Sequence, residues 1–336
     1  MTDTASESVY GSSPAPPRLF AVAGFYFLLV VVGHFASIGG NGSIGSNGSN
    51  GSIIPFAVAQ ETILLWPDGA PDSSGLSGPE VRDRCVGNIT EPSLTVYHPD
   101  STDAIGAAVL VIPGGGYSVV CLDHEGTALA EWLTGVGFTV GVLKYRLPNG
   151  RHEVPFQDAQ QAIRLMRSRA GAWIVAPDRI GVLGFSAGGH LASTVGTRFT
   201  EDFSSGEGDH LDLSHRPDFM VLVYPVITMM DDYTHRGSQR ELLGENPEEQ
   251  QLERFSNHVR VTEETPPTFL VHSSDDEVVH PFNSTAFYMA LVENGVSSEL
   301  HLFERGGHGY ALSEESPARE WDALAETWLT RIVGVD

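Results

Sequence analysis

Apolar residues in this chain recur in two rhythms, short continuous runs and helically spaced stripes, and the two alternate along most of its length. Residues 107–112, 139–145, 179–183, 219–224, 268–272 and 300–303 are β-rich or wholly apolar runs. Strands covered on both faces of a sheet read this way. Between them, residues 156–170 place Ala159, Ala162, Ile163 and Met166 at helical spacing, with arginines on the other face. Residues 282–293 predict another helix, and residues 320–333 a closing one with Trp321, Leu324, Trp328, Leu329 and Ile332 on its inner face. Such alternation demands an α/β fold, a doubly wound, mostly parallel sheet with helices on both sides. A functional site is then expected at the carboxyl edge of the strands.

Two stretches break the rhythm. Residues 200–216 are acidic and contain Gly and Ser, and residues 227–265 form a long polar insertion. Insertions at a carboxyl edge commonly cover the pocket and select what enters; a solvated excursion is the plainer alternative. The first sixty residues are a different kind of polymer. Residues 19–35 are almost continuously apolar, and residues 37–52 are rich in Gly, Asn and Ser, as flexible linkers are. Ala57-Val58-Ala59 then offers the small residues that signal peptidase reads. The chain divides into 1–60, a targeting or anchor segment with its linker, and 61–336, the catalytic domain. Export is expected, either with cleavage after Ala59 or with the apolar segment kept as an N-terminal membrane anchor.

Charge narrows the partners. The net charge of −24 and the single lysine, Lys144, disfavour nucleic acid and anionic membrane surfaces, which repel such a chain. A neutral small molecule or polysaccharide is compatible. The two cysteines, Cys85 and Cys121, could pair in an exported protein or remain buried thiols, and neither lies in a Cys/His pattern suited to zinc.

The chemistry is concentrated at the ends of the apolar runs. Gly184-Phe185-Ser186-Ala187-Gly188 follows residues 179–183 and precedes a helix-compatible stretch, the strand, turn and helix of a nucleophile elbow with Ser186 at its tip. Residues 107–112 end in Pro113-Gly114-Gly115-Gly116-Tyr117, where backbone N–H groups can face a developing oxyanion without side-chain obstruction. Gly115 and Gly116 are the expected donors, joined by Ala187. Residues 268–272 run into Ser273-Ser274-Asp275-Asp276-Glu277, one of whose carboxylates should orient an imidazole. His308, on the loop Arg305-Gly306-Gly307-His308-Gly309-Tyr310, is the expected general base. Other histidines read as structural. His190 is expected to pack under the elbow, His272 to be a satisfied core group, and His124 and Glu125 to support the oxyanion loop or touch substrate.

From about residue 61 onward the chain resembles the bacterial acetylxylan-esterase-like or feruloyl-esterase-like branch of the α/β-hydrolase superfamily. The matching stretches are Leu65-Trp66-Pro67-Asp68-Gly69-Ala70-Pro71, residues 113–117, Asp123-His124-Glu125-Gly126, Leu143-Lys144-Tyr145-Arg146-Leu147-Pro148, residues 184–190 and residues 306–310. The resemblance implies the α/β-hydrolase fold and places the acid at Asp276, with Val279 in register. His280 stands where that family usually has proline, which leaves Asp275 as the alternative.

The expected activity is a serine esterase that removes acetyl or similar small acyl groups from carbohydrate esters, with no metal or organic cofactor. The reaction class follows from the residues, and the substrate from the resemblance. A serine peptidase of the prolyl-oligopeptidase type shares the elbow but usually carries a propeller domain, absent from this chain. A catalytically silent binding protein on the same fold is the other alternative, against which Ser186, Asp276 and His308 weigh.

Overall fold

The apolar runs become strands of one sheet in the computed structural model, which describes residues 60–204, 209–230 and 232–335. The expectations for residues 1–59 lie outside the described residues. In chain order the strands are β1 (Gln60–Leu64), β2 (Val81–Arg82), β3 (Val86–Gly87), β4 (Ser93–Tyr97), β5 (Ala108–Ile112), β6 (Thr139–Lys144), β7 (Ile180–Phe185), β8 (Met220–Val223), β9 (Thr268–Ser273) and β10 (Ser298–Phe303). The helices are α1 (Ala128–Val136), α2 (Glu153–Arg169), α3 (Ser186–Thr197), α4 (Arg236–Leu243), α5 (Glu249–Arg254), α6 (Phe282–Glu293) and α7 (Trp321–Ile332). Eight strands lie in the order β1-β4-β6-β5-β7-β8-β9-β10, while β2 and β3 form a separate short ribbon. All pairs from β6 to β10 are parallel, and β1 and β4 add an antiparallel edge.

Side-chain alternation along each strand divides the interior into two cores. In β5, Ala108, Leu110 and Ile112 face the side covered by α2, α3 and α6, whereas Val109 and Val111 face α1 and α7. The closing helix buries Trp321, Trp328 and Leu329, with Leu324 and Ile332 packed at the margin. From β5 the chain passes to β6 on one side and returns to β7 on the other. The loops after β5 and β7 therefore diverge at one carboxyl edge, where a crevice opens.

The arginine face of α2 is covered rather than left to solvent. Arg164 is buried and pairs with Asp202 at 2.9 Å, and Arg167 reaches Asp218 at 2.9 Å. Acidic residues of the following loops cover that face, so long polar side chains meet carboxylates there. The 227–265 insertion is likewise packed rather than a solvated excursion. It contains α4, α5 and a 3-10 turn, Asn257–Arg260, and buries Leu242, Leu243 and Phe255 in the core beside α2.

Cys85 and Cys121 form a disulfide across 36 positions of sequence. Beside it, Val86 and Val120 exchange backbone hydrogen bonds of 2.8 Å each, and the Cys121 N–H donates to the Gly114 carbonyl at 3.0 Å. The bridge thus ties the ribbon to the glycine loop after β5. Among the described residues no helix is long and apolar enough to cross a membrane.

Candidate active site

Ser186 begins α3 directly after β7 with a φ of 50°, a left-handed value that the elbow imposes. The turn tolerates no bulk on its flanks. A Cβ on Gly188 would sit 2.1 Å from the Ile112 carbonyl oxygen of the adjacent strand. This close approach aligns the start of α3 with the end of β5, and so places the serine against the glycine loop.

Chain regions 122 residues apart meet at the serine. His308 Nε2 lies 2.9 Å from Ser186 Oγ, and His308 Nδ1 lies 2.6 Å from Asp276 Oδ2. A carboxylate can only accept, so the imidazole proton resides on Nδ1 and the Nε2 lone pair faces the hydroxyl. Burial alone would raise the Asp276 pKa, but hydrogen bonds from His272 and His308 outweigh it and hold the carboxyl well below its ordinary range. Backbone N–H groups of Val278 and Val279 add two bonds of 2.9 Å to Oδ1. All these donors favour the charged form.

Asp275 has another place. Its Oδ1 accepts the N–H groups of Gly306 and Gly307 at 2.9 and 2.8 Å, which shapes the loop carrying His308. One carboxylate thus faces the imidazole, and its neighbour faces that loop's backbone.

On the opposite side of Ser186, Gly115 and Gly116 adopt φ values of 131° and 64°. A side chain at Gly115 would strike the Val119 carbonyl oxygen at 2.2 Å. Among the described residues no acceptor takes the N–H groups of Gly115, Gly116 or Ala187. Glu125 holds the loop from behind, since Gly114 N–H donates to its Oε2 at 2.8 Å and Tyr224 Oη–H to its Oε1 at 2.8 Å.

His190 packs beneath the elbow. Its Nε2–H donates to the Phe255 carbonyl at 2.8 Å, and its Nδ1 accepts from Tyr117 Oη at 2.8 Å. His272, buried at the end of β9, does more than satisfy itself. Its Nδ1 accepts from Ser284 Oγ at 2.8 Å, and its Nε2–H faces the Val279 carbonyl at 2.8 Å and Asp276 Oδ2 at 3.1 Å. It therefore backs the same carboxylate that His308 contacts.

Two neighbours of the site escape the sequence reading. Tyr224 ends an apolar run and so passes for core, with partners about a hundred positions away. His235 sits in the polar insertion as the cap of α4, where its Nδ1 accepts the Ser238 N–H at 3.2 Å. Its Cε1 is 3.8 Å from where a Cβ on Gly116 would lie. Burial first, and the positive potential of His308 second, hold the His235 pKa below its usual value. Among the described residues no cluster of three or more His, Cys, Asp or Glu side chains is arranged to hold a metal ion.

Comparison with known proteins places the chain in a family. The BD-FAE family profile matches residues 94–291. The chain belongs to the BD-FAE family. Its relatives include the endo-1,4-beta-xylanase B of Butyrivibrio fibrisolvens, 32% identical over 80% of this chain and 45% of that protein. An acetylxylan esterase of Xylanibacter ruminicola is 32% identical over 61% of this chain and 41% of its own length. This BD-FAE chain thus spans less than half the length of these curated relatives. Among solved structures, an acetyl ester-xyloside bifunctional hydrolase from Caldicellulosiruptor lactoaceticus superposes with a TM-score of 0.72 at 39% identity, over 84% of this chain and 99% of that one. The α/β-hydrolase fold is common to both.

Proposed function

We propose that this BD-FAE protein is a serine carboxylesterase that removes small acyl groups, acetyl foremost, from carbohydrate esters. The observation that carries the reading is one imidazole spanning a serine hydroxyl at 2.9 Å and a buried carboxylate at 2.6 Å. Relatives named acetylxylan esterase and acetyl ester-xyloside hydrolase support the choice of substrate.

In this mechanism His308 Nε2 takes the Ser186 proton as Oγ attacks the ester carbonyl carbon. The carbonyl oxygen gains negative charge and is met by the N–H groups of Gly115, Gly116 and Ala187. Asp276 stabilises the imidazolium and fixes its tautomer. Collapse breaks the carbon–alkoxy bond, and His308 returns the proton to the leaving alcohol. Water, deprotonated by the same imidazole, then attacks the acyl-serine; the bond from the acyl carbon to Oγ breaks, His308 returns the proton to Ser186 Oγ, and the acid leaves. The 1–60 segment fits export of the enzyme to its substrate, as a cleaved signal or a retained anchor.

The test is turnover of acetylated xylo-oligosaccharide, 4-nitrophenyl acetate and a dipeptide amide by the purified chain. Release of acetate from the first two, lost on Ser186→Ala, is the expected result. Amide cleavage without ester cleavage would indicate a peptidase, and inactivity on all three a binding protein.

A further inference from the structure

Beyond the catalytic groups, one cluster at the same edge is unexplained by the chemistry of the ester bond. Tyr233 lies over His280 and Phe282, with ring centroids 4.4 and 4.6 Å apart and planes inclined by 34° and 31°. The tilted rings gather into an aromatic plate centred on Tyr233. It stays open to solvent, since Tyr233 is 43% exposed and His280 is exposed as well.

The plate is held in place from within. Buried Asn283 donates to the Tyr233 carbonyl at 3.1 Å and accepts the N–H groups of Ile227 and Thr228 at 2.8 and 3.0 Å. His280 is fixed too, because its Nδ1 accepts the Phe282 N–H at 3.1 Å. His280 is also where the sequence departs from the proline its family resemblance leads one to expect.

We propose that Tyr233, His280 and Phe282, together with His235, form a subsite for the sugar ring of the ester's alcohol half; this rests on the esterase reading above. The alcohol oxygen must take its proton from His308 Nε2, so the alcohol lies on the imidazole side of the serine. His235, two residues after Tyr233, lies beside Gly116 and within electrostatic reach of His308 and Asp276, and His280 follows Asp276 by four residues. A pyranose presents an apolar C–H face ringed by hydroxyls, and flat rings beside a polar donor complement both parts. His235 supplies the donor. With Nδ1 engaged by Ser238, its Nε2 carries the proton, and no described residue accepts it.

The test compares kcat/KM for acetylated xylotriose with kcat/KM for 4-nitrophenyl acetate in the full chain, Tyr233→Ala and His235→Ala. The ratio should fall about tenfold in each variant, through KM of the sugar ester, as loss of one ring or one hydrogen-bond contact requires. A ratio within about twofold of the parent overturns the subsite. Titration of xylotriose into Ser186→Ala separates this from the esterase reading itself. Should the parent hydrolyse neither ester, saturable xylotriose binding that Tyr233→Ala weakens still upholds the subsite, and no binding removes it.

Discussion

The phenol ring of Tyr224 lies 4.6 Å from the imidazole of His308, tilted by 56°. Its hydroxyl donates to Glu125 and accepts the Ala311 N–H at 3.2 Å. Glu125 in turn holds Gly114. A single side chain therefore connects the loop bearing His308 with the glycine loop after β5, and ties the two together beside the serine.

Replacing Tyr224 with Phe keeps the ring but leaves a buried carboxylate oxygen and a backbone N–H unmatched. Stability should drop by about 1–3 kcal/mol, as for other buried groups left without a partner. Turnover should fall about tenfold with little change in KM, because a shift of catalytic loops affects the transition state more than binding. Urea unfolding and steady-state kinetics on 4-nitrophenyl acetate measure the two effects.

Ser186→Ala removes the proposed nucleophile without adding bulk at the elbow. Ester turnover should decline on the order of a millionfold, with the circular dichroism spectrum unchanged.

The adjacent carboxylates should separate cleanly. Asp276→Asn disturbs the His308 tautomer and should lower kcat by about ten-thousandfold. Asp275→Ala frees the N–H groups of Gly306 and Gly307 and should cost only about tenfold through a looser loop. Equal losses in the two variants would contradict the assignment of distinct roles.

Acid should weaken the fold through His190. Burial pushes its pKa down to about 4, partly opposed by the Phe255 carbonyl, whereas the unfolded chain keeps an ordinary imidazole near 6.5. The unfolded state therefore binds the proton first. Stability is complete above pH 6.5 and declines as pH falls toward 4, by about 3 kcal/mol from this residue. His215, also pushed down to about 4 chiefly by burial, acts in the same direction. Unfolding midpoints measured between pH 4 and 8 should show a shallower decline in His190→Gln, with the remainder due to His215.

Loss of the Cys85–Cys121 bridge, as the double alanine variant, should destabilise the fold by up to about 4 kcal/mol, given the 36 positions it spans. A chemical denaturation curve unchanged from the parent would show that the ribbon is held by its backbone pairing alone.

Much of this arrangement is legible in the sequence because its signals are local. Ser186 and His308 stand out through flanking glycines, and the strands through apolar runs that end where the chemistry begins. The Asp275 and Asp276 pair is not resolved by sequence, since two like residues on one turn differ only in which way the backbone sends them. Tyr224 is hidden by its apolar neighbours, and His235 by a polar insertion with weak periodicity. For the arginines of α2, spacing marks a polar face but cannot show that carboxylates from distant loops cover it.

His190 has a consequence for ancestry. One nitrogen is committed to the glycine loop through Tyr117 and the other to the insertion through Phe255. The insertion therefore cannot diverge as freely as surface segments do. A lineage that remodels it to admit a different ester must keep a carbonyl at that spot or exchange the histidine in the same step, so innovation at the rim is inherited jointly with the elbow.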